Sequence, residues 1–109
     1  MSAVGQRIRE LRKTKGYTLR QLAPMVGVGF SYLCKVENGR LDSSDSPSES
    51  LIHRLAETLD GDEDELLLLA RRIPPSIANR IFEMPEAFRT LAECNDRQLK
   101  TLAKQARKS

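Results

Sequence analysis

The chain has 109 residues, with 39% hydrophobic, 5% aromatic and 30% charged side chains, which suits one small domain with a short appended segment. No apolar run approaches the roughly 18 residues of a membrane-spanning helix, and the N-terminus "MSAVGQRIRE" lacks the apolar core of a signal peptide, so we expect neither a membrane protein nor an exported one. The net charge of +3 divides into +6 over residues 1–40, −8 over residues 41–70 and +5 over residues 71–109, so one part of the chain suits a polyanionic partner and the middle part does not.

Helix-starting and helix-ending signals divide most of the chain into five segments. A glycine follows each of four helix-like segments, at the position where a left-handed residue ends a helix: Gly16, Gly27, Gly39 and Gly61. Three capping-box pairs precede segments, with Pro47 at the first helical position of the second: Thr18 with Gln21, Ser46 with Glu49, and Asp62 with Glu65. These signals predict helices over residues 3–15, 18–26, 30–37, 47–59 and 63–71.

Apolar residues recur with helical spacing in these segments. Val4, Ile8 and Leu11 follow the pattern i, i+4, i+7, and a wider apolar stripe runs from residue 51 to residue 59. No segment alternates with period two for long enough to form a strand. We therefore predict an all-α domain.

The second and third helices are joined by a very short turn that contains Gly27. Two short helices joined in this way are typical of a helix-turn-helix unit, with Ala23 where the second helix crosses the first. Val28, Leu33 and Val36 form the buried side. Four residues are then left on the outward side: Phe30, Ser31, Cys34 and Lys35. A helix that presents its first turns outward fits the major groove of DNA, where base edges are read.

The stretch "YTLRQLAPMVGVGFSYLCKVENGR", residues 17–40, resembles the helix-turn-helix of the XRE family, the phage-repressor and Cro-like regulators. The resemblance extends from about Val4 to Ala70, because "SLIHRLAETLDGDEDELLLLA" looks like the fourth and fifth helices of that family. It implies a five-helix Cro/repressor-like domain over residues 1–72 and sequence-specific binding of double-stranded DNA. It also implies that the protein acts as a dimer on a palindromic operator.

The resemblance assigns DNA contacts residue by residue. Three residues match base-reading positions: Phe30, Ser31 and Lys35. Four match positions that contact the DNA backbone: Thr18, Tyr32, Asn38 and Arg40. Three of these residues have a plainer alternative, since Phe30 can pack against the first helix, Tyr32 can be half-buried and Lys35 can be an ordinary solvated lysine.

Two positions depart from the family pattern, and one nearby acid has a structural interpretation. Leu19 stands where the family often has a glutamine that anchors the DNA backbone, so the resemblance does not assign that contact to this chain. Gly29 stands where a serine or threonine normally caps the recognition helix, and glycine weakens such a cap by only a few tenths of a kcal/mol. Glu37 is expected to be structural and to pair with an arginine such as Arg12.

The sequence contains no arrangement typical of catalysis or metal binding. It has no Gly-rich phosphate loop, no nucleophile elbow and no paired histidines, and His53 stands without a ligand-spaced neighbour. The acids of residues 60–65 suit the start of a helix and lack the spacing of a calcium loop. Cys34 and Cys94 are predicted to be semi-buried free thiols in a reducing cytoplasm. We expect no enzyme activity, no metal and no cofactor.

Residues 73–109 lie outside the firm resemblance and are predicted to form a helical extension. Pro74-Pro75 opens one short helix and Pro85 another, and Asn95 with Gln98 caps a third that ends near Arg107. Six apolar side chains are too many for three small helices to bury alone: Ile77, Ile81, Phe88, Leu91, Leu99 and Leu102. They fold back on the first domain, form a homodimer or bind another protein, and dimerisation is the interpretation we favour.

Two functional classes follow from the sequence. The first is a cytoplasmic, nucleoid-associated transcriptional regulator, a repressor that binds a palindromic operator as a dimer. The alternative is an antitoxin-like or protein-interaction module whose C-terminal helices bind a partner protein. The two are compatible, because an antitoxin of this kind can also repress its own operon.

Overall fold

The computed structural model describes residues 2–41 and 47–108, and every regular element within these ranges is an α-helix. The predicted all-α fold is therefore confirmed. The helices are α1 (Ala3–Lys15), α2 (Leu19–Met25), α3 (Phe30–Asn38), α4 (Glu49–Leu59), α5 (Glu63–Leu69), α6 (Pro75–Glu83), α7 (Pro85–Glu93) and α8 (Asp96–Arg107). The chain separates into two compact units, residues 1–74 and residues 75–109, which are called unit 1 and unit 2 below.

Unit 1 has a single apolar core built by all five of its helices. Helix α1 packs against α3, α4 and α5, and α2 packs against α3. The side chains at the centre of the core have no exposed surface: Ile8, Leu22, Val26, Leu33, Ile52, Leu55 and Leu66. Burying each of the larger aliphatic side chains stabilises the fold by about 1.5–3 kcal/mol. This core holds α3 in place with one face inward and the other outward.

Three of the four predicted glycines adopt the left-handed conformation, with φ of 78° at Gly16, 72° at Gly27 and 66° at Gly39. The prediction is wrong for Gly61, because Asp60 takes the left-handed position one residue earlier, with φ of 57°. Aspartate tolerates this conformation better than most residues with a side chain. Glycine at position 61 instead leaves room for Leu11, whose Cδ1 would lie 2.8 Å from an added Cβ.

The N-cap of α2 is the predicted capping box. The backbone N–H of Gln21 donates to Thr18 Oγ1 at 3.1 Å, and the N–H of Thr18 donates to Gln21 Oε1 at 2.9 Å. Asp62 also caps α5, since the N–H of Glu65 donates to its Oδ1 at 3.2 Å. The Glu65 carboxylate, however, accepts a hydrogen bond from Arg7 at 2.8 Å, which ties α5 to α1.

The start of α4 differs from the prediction. Pro47 does not open the helix, which begins at Glu49 with Ser48 as its N-cap, accepting from the N–H of Leu51 at 3.1 Å. The predicted N-cap, Ser46, lies outside the described residues. Pro47 is buried and its carbonyl oxygen accepts from Arg72 Nε at 3.0 Å, so tertiary contacts hold it just before the helix.

A buried ion pair joins the first helix to the end of the third. Glu37 is only 2% exposed, and its two carboxylate oxygens accept from Arg12 Nε at 2.7 Å and from Arg12 Nη2 at 3.1 Å. The remaining Arg12 nitrogen, Nη1, donates to the carbonyl oxygen of Tyr17 at 2.9 Å. The expected pairing of Glu37 with Arg12 is therefore confirmed. Because the pair is bidentate, it restrains the orientation of α3 as well as its distance from α1.

His53 on α4 lies between two carboxylates, Glu57 at 2.9 Å from Nε2 and Glu63 at Nδ1. The hydrogen bond with Glu63, followed by the charges of Glu57 and Glu63, raises the pKa of His53 above its ordinary value of 6.5. Because the raised pKa belongs to the folded state, the stabilisation is complete below about pH 6.5 and is lost as the pH rises through the folded pKa.

We therefore expect the urea midpoint of unfolding to fall as the pH rises, and the fall to be shallower in His53→Gln. Curves measured between about pH 5 and 8 cover this transition. The effect is small, because the His53 side chain is 54% exposed and solvent screens its partners. Identical pH profiles for the parent and His53→Gln would contradict the prediction.

Unit 2 consists of three amphipathic helices with little burial of their own. Helix α6 begins at Pro75 and α7 at Pro85, and Asn95 with Gln98 forms the predicted capping box of α8. Within residues 75–108, no side chain is classed as buried, and Phe82 is 79% exposed. None of the helices in the described parts of the chain is long and apolar enough to cross a lipid bilayer.

Candidate nucleic-acid interface

Helices α2 and α3 form the tight turn that the sequence predicts. The N–H of Gly27 donates to the carbonyl oxygen of Pro24 at 3.2 Å, and the N–H of Val28 donates to that of Ala23 at 3.0 Å. The left-handed Gly27 allows this reversal, since a residue with a side chain is strained there. Ala23 is 2% exposed, which agrees with its predicted place at the crossing of the two helices.

The third helix has a buried face and an outward face. Leu33 and Val36 are 0% and 2% exposed and belong to the core. On the outward side, Ser31 and Lys35 are exposed and lie four residues apart, so they share one face. Phe30 stands in the first turn and is 38% exposed. The three predicted base-reading residues are therefore all accessible on the same short helix.

The four predicted backbone-contacting residues differ in how freely they can act. Thr18 and Arg40 are exposed, and Tyr32 is 38% exposed. Asn38 is half-buried, and its Nδ2 donates to the carbonyl oxygen of Cys34 at 2.9 Å while lying 3.4 Å from Cys34 Sγ. Because one amide hydrogen of Asn38 is already used, this side chain has less to offer a phosphate than the other three.

The structure shows the surroundings of Leu19 and Gly29, the two residues that depart from the family pattern. Leu19 is half-buried and packs against the core, so it serves α2 as an apolar anchor. Gly29 is the N-cap of α3 and makes no side-chain cap. An added Cβ at Gly29 would meet nothing within 4 Å, so the space in front of the first turn is open.

Sequence reasoning missed one side chain on this surface, Arg20. Its Cζ lies 4.4 Å from the centroid of the Phe30 ring, which is the distance of a cation–π contact. The pair brings a positive charge from α2 to the first turn of α3. The sequence did contain a signal for Arg20, because this residue places a positive charge in the first turn of α2, where the helix dipole disfavours a cation.

A family model described as a helix-turn-helix domain matches residues 3–69, which is well over half of the chain. The chain belongs to the helix-turn-helix family. The XRE resemblance is confirmed by this match and by the relatives described next. For this helix-turn-helix protein, the matched range ends at the last residue of α5, so α6–α8 lie outside it.

Two relatives come from Bacillus subtilis (strain 168). The uncharacterised HTH-type transcriptional regulator RghRB is 31% identical over 93 residues, which cover 85% of this chain and 64% of the relative. The HTH-type transcriptional regulator SinR is 39% identical over 57 residues, which cover 52% of this chain and 49% of SinR. The matched segments therefore span less than two thirds of the length of either relative.

Solved structures extend the comparison to the fold. The crystal structure of SinR, the master regulator for biofilm formation, in complex with DNA matches with a TM-score of 0.53 and 38% identity, over 59% of this chain and 97% of the other. The solved SinR and SinI protein complex matches over 95% of this chain and 94% of the other, with a TM-score of 0.54 and 24% identity. At that identity the second match shows a shared fold and nothing further.

Proposed function

We propose that this protein is a sequence-specific transcriptional regulator, a repressor that binds a palindromic operator in double-stranded DNA as a homodimer at the nucleoid. The observation that carries the proposal is the outward face of α3. Ser31 and Lys35 project from it, Phe30 stands in its open first turn, and the opposite face is buried in the core. An exposed short helix of this kind has the dimensions to enter the major groove.

The proposed division of roles follows the chemistry of the side chains. Phe30, Ser31 and Lys35 read bases, since a groove lysine meets guanine O6 and N7 and an apolar group suits the thymine methyl. Four residues contact the backbone: Thr18, Tyr32, Asn38 and Arg40. The balance of +6 over residues 1–40 supports an approach to phosphates. The relatives support the same function, because RghRB and SinR are named as transcriptional regulators and SinR is solved with DNA.

A second function involves the proposed C-terminal extension, residues 73–109, which contains unit 2. The side chains of Ile81, Phe88, Leu91 and Leu99 line a shallow apolar groove, and Phe82 is largely exposed. Such a surface normally marks an interface. We assign it to the homodimer, and capture of a different protein by an antitoxin-like module is the alternative. The mass of the purified protein in solution separates the two, because the alternative leaves it monomeric until the partner is added.

The base-reading proposal is tested by Lys35→Ala and Arg40→Ala on operator DNA selected from a random pool. Lys35→Ala should cost about 1–3 kcal/mol on the selected site and relax the preference at one position in each half-site. Arg40→Ala should weaken binding equally on selected and random DNA, because a phosphate contact carries no sequence information.

Binding is measured on single-base operator variants between about 50 and 200 mM salt. The slope of log K against log salt should become shallower by about 0.9 for each phosphate contact that Arg40→Ala removes, counted over both protomers. Lys13→Ala is the matched control, since Lys13 is an exposed cation on α1 for which no DNA contact is proposed. Equal losses on every sequence for Lys35→Ala would show that α3 contacts only the backbone. If the affinity of the parent protein for operator DNA did not change with salt concentration, the whole proposal would be contradicted.

A further inference from the structure

The side chain of Arg20 contacts the aromatic ring of Phe30. Arg20 is the second residue of α2, and its guanidinium lies over the aromatic ring that opens α3, 4.4 Å from the centroid. Among the residues that the structure describes, no carboxylate forms an ion pair with Arg20. The ring of Phe30 is therefore the partner that orients this cation.

Arg20 does not stabilise the helix that carries it. The N-terminus of a helix bears partial positive charge, so a cation in the first turn is unfavourable, and no acidic residue in the first turn of α2 offsets it. Residues that break a local rule without a local gain are expected at functional sites. The position of Arg20 is thus better explained by a role on the exposed surface than by a contribution to the stability of α2.

The contact with Phe30 leaves the donor groups of Arg20 available. When a guanidinium lies flat over a ring, its N–H donors point outward in the guanidinium plane. Those in-plane donors are the groups that contact guanine O6 and N7 together. The neighbouring Gly29 adds no side chain in front of the first turn, and an atom at its Cβ position would meet nothing within 4 Å. Arg20 itself is exposed and Phe30 is 38% exposed, so both members of the pair are accessible to a ligand.

We propose that Arg20 is a specificity-determining residue that reads a guanine in each half-site, with Phe30 as the platform that holds its guanidinium. This inference rests on the proposed function, because it takes α3 as the recognition helix. It changes the role of Phe30 from a reader of the thymine methyl to a support for a reader on α2. The reading surface then extends from α3 onto α2.

The test is a double-mutant cycle of Arg20→Ala and Phe30→Leu, with Arg20→Lys as a third variant. Operator affinity of the full chain is measured on the selected site and on its single-base variants. Arg20→Ala should lower affinity for the selected site about 5–150-fold and remove the preference at one base pair of each half-site. Arg20→Lys should remove the same preference, because an ammonium lacks the planar fork, while binding to random DNA stays close to that of the parent.

Phe30→Leu should relax the same base pair as Arg20→Ala, and the double variant should lose little more than Arg20→Ala alone. Losses that simply multiply in the double variant would overturn the platform. A uniform loss on all sequences for Arg20→Ala would make Arg20 a phosphate contact and overturn the proposal. Circular dichroism and thermal unfolding confirm that each variant is folded.

Lys35→Ala in the same panel separates this inference from the proposed function. If Lys35→Ala changes base preference and Arg20→Ala does not, only the role of Arg20 is wrong. If neither variant changes base preference, the assignment of α3 as the recognition helix fails, and the inference fails with it.

Discussion

Replacing Glu37 with alanine is expected to destabilise unit 1 by about 3–5 kcal/mol, a large part of the 5–15 kcal/mol typical of a small domain. The substitution leaves the Arg12 guanidinium, whose side chain is 11% exposed, without the bidentate carboxylate that neutralises it. The net contribution of the intact pair is smaller than this figure, because most of the loss comes from the buried charge left alone. Urea unfolding followed by circular dichroism measures the change.

The matched control for this prediction is Glu10→Ala. Glu10 also pairs with an arginine of unit 1, at 3.1 Å from Arg7, but its side chain is 55% exposed. Exposed pairs of this kind contribute about 0–1 kcal/mol, so the control should unfold almost as the parent does. If Glu37→Ala lost no more stability than Glu10→Ala, the pair would not be what ties α3 to α1. A second variant, Glu37→Gln, retains the shape and two polar atoms and should lose less than alanine.

Removing unit 2 by truncation after Pro74 is expected to make the protein monomeric and to weaken operator binding about 10²–10⁴-fold. The truncation point is Pro74, because unit 1 ends at this buried proline. Unit 1 retains its whole core, so the fragment should stay helical and unfold cooperatively. The affinity falls because a monomer engages one half-site at a time, whereas a dimer engages both.

Light scattering at micromolar concentration and titration with operator DNA measure the two effects. In the full-length chain, Phe82→Ser should weaken the dimer, since Phe82 is the most exposed large apolar side chain of unit 2, at 79%. Leu68→Ser is the matched control, because Leu68 is an apolar side chain of unit 1 that is 51% exposed. A truncated chain that stayed dimeric would place the interface in α1–α5 and leave unit 2 for a different protein partner.

The sequence by itself determined the helices, the turn and the outward face. The starts of α2 and α8 depend on hydrogen bonds between residues three positions apart, Thr18 with Gln21 and Asn95 with Gln98, so local sequence was enough to predict these two. Local sequence was not enough for α4, which begins at Glu49, two residues after the predicted start. The division of α3 into a buried and an exposed face follows from the spacing of Leu33 and Val36. The structure retains these features because each depends on residues that lie within one or two turns of the same helix.

Tertiary structure decided everything that depends on how the helices cross. An added Cβ at Gly5 would lie 2.5 Å from the carbonyl oxygens of Val36 and Glu37, so α1 approaches the end of α3 too closely for any side chain at that position. The spacing of residues along the sequence does not predict this contact between α1 and α3. The Arg20–Phe30 contact likewise joins residues on two helices, α2 and α3, which meet at the turn that contains Gly27. Distances between helices are set by the packing of the whole core, which no short stretch of sequence contains.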